Sequence, residues 1–161
     1  MAAVMNREHV IRYLEFYRTI DGEIKFYRQV IHDIETEYYM QGTCTLSDGL
    51  PKAKNRILNV TEELALNIPE EISNDLKTYN RDIERLQRLK TEILKEISRL
   101  NLQQKSIIFS RYVDGLKWEQ VATRNHYSAR QCKNIRNKAI ENLARRFRSN
   151  RVISSYDLPN E

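Results

Sequence analysis

One apolar series constrains the first quarter of the chain: Val10, Tyr13, Tyr17, Ile20, Ile24, Tyr27, Ile31, Ile34 and Tyr38 recur at alternating three- and four-residue steps. A strand repeats every second residue, so this spacing fits a helix that keeps one face apolar over four heptads. Ile11, Leu14, Phe16 and Val30 add a second row, and a stripe that broad suits a helix packed on more than one neighbour. Gly22 lies inside the pattern and costs about 1 kcal/mol relative to Ala, too little to break so long a helix. Tyrosine at many seam positions lets the rings bury while the hydroxyls reach water or a polar partner.

A comparable series runs through Leu76, Tyr79, Ile83, Leu86, Lys90, Ile93, Ile97 and Leu100. Lys90 either specifies register or partner at the seam, or sits just off the contact line with Leu89 in its stead. Two starts fit this helix: a cap at Asn67, or a beginning at Pro69 with Glu70 and Glu71 near the positive end of the dipole. Between the two series, residues 42–55 are turn-rich, with Asp48, Gly49 and Pro51 as breakers, and residues 60–66 leave room for a further helical stretch. The expected fold is all-α. A long, coiled-coil-like N-terminal helical hairpin (residues 1–100) serves oligomerisation or partner binding, and a C-terminal domain (101–151) and a flexible tail (152–161) follow. Pairing within one chain and exchange between two chains would give the same heptads.

Hydrophobic content of 40%, with four glycines and three prolines in 161 residues, argues against disorder and for helix over sheet. The net charge of +5 is unevenly spread: residues 101–151 carry twelve Lys/Arg against three Asp/Glu, or +9. A basic segment beside a nearly neutral one implies a polyanionic partner. Cys44 and Cys132 have no CxxC spacing, and the histidines at 9, 32 and 126 are far apart, so no metal site, disulfide framework or cofactor is expected. Nor is an enzyme. No glycine-rich phosphate loop or nucleophile with its base is present, and Glu35 and Glu37 read as a solvated face. No run approaches a membrane span and no signal peptide is apparent, so a cytoplasmic protein without a membrane partner is expected.

The basic segment resolves into short elements. Asn101 or Ser98 can begin a break, after which Leu102, Ile107, Ile108 and Tyr112 mark a third helix ending near Gly115, a C-cap. Trp118, Val121 and Ala122 form the apolar side of a short fourth helix, and Asn125, His126 and Tyr127 make a turn. Ser128 can cap a fifth helix, with Gln131 completing a capping box. In that helix, residues 128–147, Cys132, Ile135, Ala139, Leu143 and Phe147 share a face. Arg130, Gln131, Lys133, Asn134 and Asn137 then lie early and outside, where Arg and Lys suit guanine edges and Gln and Asn suit adenine. Lys117, Arg124 and Ser128 are available for phosphates, and Arg136, Lys138, Arg145 and Arg146 extend the positive surface. Trp118 and Tyr127 read as packing residues and Cys132 as an inert core thiol, while His126 fits a phosphate contact and plain exposure equally.

Residues 103–143 resemble the region 4 helix-turn-helix of the sigma-70 family, through RYVDG at the end of one helix, WEQVA opening the next, a serine-started recognition helix and a closing Ala-Ile-x-x-Leu segment. A long helical part followed by such a module is similar to the ArpU/RinA-like late-gene regulators of phages. The resemblance implies a DNA-binding transcriptional regulator of a bacterial host cell, with double-stranded DNA as partner and Arg130, Gln131, Lys133, Asn134 and Asn137 at the bases. It implies assembly as a homo-oligomer, a dimer first; an RNA polymerase contact is compatible with it but does not follow from it. The first 100 residues match only the general plan. A phage terminase small subunit, which joins the same kind of module to an oligomerising helical part, is the alternative.

Overall fold

The computed structural model describes residues 5–45, 62 and 64–159, and among them every regular element is helical. The heptad series folds as one 39-residue helix, α1 (Arg7–Thr45). It continues through residues 42–45, where the sequence suggests that a turn begins; the remainder of that turn, 46–55, lies outside the described residues, as do 60, 61 and 63, while 64–66 are helical. Helix α2 (Glu70–Ser98) starts beside Pro69, whose carbonyl accepts from the Ser73 amide at 2.9 Å, with Glu70 and Glu71 in the first turn. Of the two starts open in the sequence, the proline is the one used.

Asn101 then caps α3 (Leu102–Ile108), its side-chain oxygen accepting from the Gln104 amide at 2.8 Å. The chain does not continue as a plain α-helix to Tyr112. It widens into a π turn, Phe109–Val113, closed by the Asp114 amide on the Phe109 carbonyl at 2.9 Å. Gly115 follows at φ +70°, a left-handed conformation that favours glycine, with the Arg18 guanidinium packed close beside it. Helices α4 (Trp118–Asn125), α5 (Ala129–Ser149) and α6 (Arg151–Ser154) complete the chain.

The fold divides into two compact units, Met1–Asp21 with Arg85–Glu161, and Gly22–Glu84. This division differs from a boundary at residue 100, because the first turns of α1 belong with the C-terminal helices. Tyr13 is the joint: its ring meets Phe147 edge-on at 5.9 Å, and its hydroxyl donates to the Ile153 and Tyr156 carbonyls at 2.8 and 2.7 Å. Burial, with Asp157 and Tyr156 nearby, pushes that hydroxyl up to about 12. Residues 152–159, expected to be a loose tail, are anchored at several points, while Ser155, Asp157 and Pro159 stay exposed. Ile153 is fully buried, Phe16 lies 6.0 Å from the Tyr156 ring, and Arg12 donates to the Pro159 carbonyl at 3.3 Å.

Val10, Leu14, Ile20, Leu89, Ile93 and Ile97 fill this unit alongside Ile140, Leu143 and Phe147, all at most 1% exposed. Burying each such side chain is worth roughly 1.5–3 kcal/mol. Leu89 carries the seam; its neighbour Lys90 stands off the contact line, pairing with Asp21 at 2.6 Å and lying 5.8 Å over the Tyr17 ring.

In the unit of residues 22–84, Tyr27 meets Tyr79 at 5.8 Å, and Tyr38 donates to the Leu64 and Asn67 carbonyls at 2.9 and 3.2 Å. Partner numbers fall as α1 advances, so the two segments run antiparallel. Burial, then Asp82, Glu23 and Tyr79, raise the Tyr27 hydroxyl above its ordinary value. Ile24 and Ile83 are the buried apolar side chains of this unit among the described residues.

Candidate nucleic-acid interface

Helices α4 and α5 are joined by residues 126–128, and the local chemistry of that turn is fully accounted for. The Tyr127 amide bonds the Ala122 carbonyl at 3.2 Å and the His126 amide the Thr123 carbonyl at 3.4 Å, the paired pattern of a Schellman motif. His126 takes the left-handed conformation this requires, at φ 57°, a region where His is more tolerated than most residues. The accompanying apolar contact is present, since Ala122 and Tyr127 both pack on the small core of Ile107, Val121 and Cys132. Ser128 then caps α5: its Oγ accepts from the Gln131 amide at 3.2 Å, and Gln131 Oε1 accepts from the Ser128 amide at 3.0 Å. This is the capping box read from the sequence. Helix α3 is tied to the turn by Ser106 Oγ donating to Asn125 Oδ1 and by Gln103 Nε2 donating to the Tyr127 hydroxyl at 2.8 Å.

With α5 fixed by Cys132, Ala139, Ile140, Leu143 and Phe147, its opposite face is set. Arg130, Gln131, Lys133 and Asn134 are exposed and Asn137 is half-buried. Among the described residues Arg130 and Asn134 are in no hydrogen bond or ion pair, so both side chains are free to meet a ligand. Gln131 has its carbonyl oxygen committed to the cap, and Asn137 Oδ1 accepts from Arg7 of α1. Lys133 leans back over the Trp118 ring, 5.8 Å from its centroid.

The residues read as phosphate contacts scatter more widely. Lys117 and Ser128 are exposed where α4 and α5 begin, Lys138 is exposed midway along α5, and Arg124 pairs with Asp114. That pair is more than a third exposed on both sides and contributes at most about 1 kcal/mol, so it does not hold Arg124 from another anion. Arg145 donates to Asn142, and Arg146 stands 3.9 Å from Glu96. The last two line an open cleft of about 640 Å³ with Lys95, Arg99, Arg151 and the acids Glu92 and Glu96. The buried Glu96 is already met by Asn150 at 3.1 Å and Arg99 at 3.2 Å, and Lys95 and Asn150 hold Glu92 below the usual carboxylate range.

Arg136 departs from the expected surface position. It is half-buried, its Nε has no partner, its charge acts on the nearby Tyr112 hydroxyl, and its guanidinium lies 5.4 Å from the Trp118 centroid. Burial raises the Tyr112 hydroxyl most, with Glu15 adding to it; Arg136 and Arg111 oppose.

Two residues near this surface were not legible. Arg111 lies 5.2 Å over Trp118 and donates to the Leu116 carbonyl at 2.8 Å, a position created by the π turn and the Gly115 bend. Arg7 reaches Asn137 across 130 residues of sequence. No local pattern encodes either contact. Cys132 is fully buried, and burial alone raises its thiol pKa, as an inert core residue requires. Among the described residues there is no cluster of potential metal ligands and no helix long and apolar enough to cross a membrane.

The chain belongs to the family described as Protein of unknown function (DUF722), whose model matches residues 28–145. The matched span takes in all of α2, α3 and α4, most of α5 and just under half of α1, but membership brings with it no activity, substrate or partner. No curated protein and no solved structure matches the chain.

Proposed function

We propose that this protein is a sequence-specific DNA-binding regulator of transcription that lays the N-terminal half of α5 in the major groove. The observation that carries this reading is the free, exposed pair Arg130 and Asn134 on the first turns of a helix rigidly capped by Ser128 and backed by a buried core. Spaced i,i+4, the two side chains share one face of the helix, and they combine a guanine-reading with an adenine-reading residue type. Lys117, Arg124 and Ser128 supply phosphate contacts around the turn, and the +9 of residues 101–151 draws the module to a polyanion. Gln131 and Asn137 act through the frame, as cap and as partner of Arg7, and support the helix more than they read bases. The resemblance to sigma region 4 and to phage late-gene regulators supports control of phage or prophage genes, with the half-buried tyrosine seam of residues 22–84 as the dimer contact.

Genome-wide occupancy in the native host, with tagged wild type and the Arg130→Ala/Asn134→Ala form, tests this. The expected result is a sharp peak upstream of a gene block that the double variant loses, since each good base contact discriminates by about 1–3 kcal/mol, or roughly 5- to 150-fold. A peak at a packaging start site would replace regulation with DNA packaging. An unchanged peak in the variant would remove α5 as the reading element.

A further inference from the structure

Three cations converge on one indole. Arg111, Lys133 and Arg136 lie 5.2, 5.8 and 5.4 Å from the Trp118 ring centroid, so no two of them can be more than about 11 Å apart. Among the described residues none of the three is in an ion pair. The polar partner of Arg111 is neutral, the Leu116 carbonyl, and Arg136, beside the Tyr112 hydroxyl, has a buried Nε with no partner. Glu15 is near enough to act on Tyr112 but pairs with none of them.

That arrangement is unfavourable as it stands and favourable with an anion in it. Separations within about a Debye length leave the mutual repulsion only partly screened. The cation–π attraction of the indole face partly offsets it and holds the side chains in position. A ligand that brings one diffuse negative charge and several acceptor oxygens would relieve the repulsion and meet the unpaired donors.

The geometry points to a phosphate clamp: Arg111, Lys133 and Arg136, pre-positioned on Trp118, grip a backbone phosphodiester of duplex DNA beside the groove that α5 enters. This rests on the DNA-binding reading and refines it. Lys133 lies one helical turn beyond Arg130 and one turn before Arg136, so the clamp adjoins the reading face without sharing its role. Lys133, by sequence a base reader, becomes a backbone contact, and Arg111 joins the interface.

Trp118 is the chain's sole tryptophan, which makes the site its own reporter. Full-length protein is titrated with a random-sequence duplex at several salt concentrations, following binding by anisotropy and Trp118 emission. Arg111→Gln and Lys133→Gln should each make the slope of log affinity against log salt shallower, together by up to about 0.9, the contribution of one phosphate, so that a fourfold rise in salt is up to roughly threefold less damaging than in wild type. Lys133→Arg should retain the wild-type slope, and Arg88→Gln, on exposed α2 surface, should leave it unchanged. DNA should perturb Trp118 emission in wild type, and helix content by circular dichroism should be the same in all forms. Binding with unaltered slopes in both Gln variants would overturn the clamp and leave the DNA reading intact. No binding of wild type to duplex at low salt would defeat the DNA reading. If inorganic phosphate then changed Trp118 emission in wild type but not in Arg111→Gln, the site would be one for a free anion, and its assignment to DNA would fall.

Discussion

The two units build the same heptad periodicity to different depths. In the unit of residues 5–21 and 85–159, Val10, Ile20, Leu89, Ile93 and Ile97 are sealed to 1% exposure or less. In the unit of residues 22–84 the spacing continues unbroken, yet Tyr27, Ile31, Ile34, Leu76 and Tyr79 remain half-buried. A repeat of 3.5 residues says which face of a helix is apolar; it does not say how many neighbours that face will meet. Tyr13 meets Phe147 of α5 and the carbonyls of Ile153 and Tyr156, whereas Tyr27 and Tyr38 find partners from residues 64–67 and Tyr79.

The sharpest way to break this contrast is to cut a sealed side chain. Phe147 is fully buried beneath Tyr13. Phe147→Ala should therefore cost about 3–5 kcal/mol, read as a lowered urea midpoint with an unchanged slope. A loss below about 1.5 kcal/mol would mean that the helices around Tyr13 are not the cooperative core their burial indicates.

What could be read beforehand follows the range of the interactions. The all-helical class, the capping box of Ser128 and Gln131 and the apolar face of α5 rest on spacings of three or four residues, and the structure contains each of them. The seat of Leu89 beside Lys90, the π turn at Phe109–Val113 and the anchoring of residues 152–159 do not, because each depends on a partner brought in by the tertiary fold. The candidate interface divides the same way. Arg130 and Asn134 are exposed because a buried face opposite them fixes their direction, but the stacking of Lys133 and Arg136 on Trp118 needs the α4–α5 packing, and Arg111 needs the bend at Gly115. Sequence marked where positive charge accumulates; contacts between elements determine which charges are tied up.

Tyr13 offers a smaller, titratable version of the comparison. Its hydroxyl is pushed from 10.0 to about 12, chiefly by burial, so the native state keeps a proton that the unfolded chain releases first. Its contribution is complete below pH 10 and is lost as pH rises from 10 towards 12, amounting to about 2–3 kcal/mol. Tyr13→Phe should remove that portion of the alkaline decline, visible as the difference between the two stability–pH curves. At neutral pH it should cost about 1–2 kcal/mol, because the Ile153 and Tyr156 carbonyls lose their shared donor. Parallel curves for the two proteins above pH 10 would show that the hydroxyl is not shielded in the native state.

The smallest expected effect is the one that sharpens the contrast most. Ile34 occupies the same heptad row as Ile20 but is half-buried, so Ile34→Ala should cost only about 1 kcal/mol against 2–5 for a sealed isoleucine. That holds for a chain measured alone at low concentration. If residues 22–84 dimerise through the seam, the other half of Ile34 is covered by a second copy, and the cost of the substitution should grow with protein concentration as assembly becomes linked to folding. Denaturation of wild type and Ile34→Ala across a hundredfold range of concentration separates the cases. A penalty that stays near 1 kcal/mol throughout makes the seam a shallow intramolecular contact; one that climbs to the value of a buried truncation makes it the interface of an oligomer.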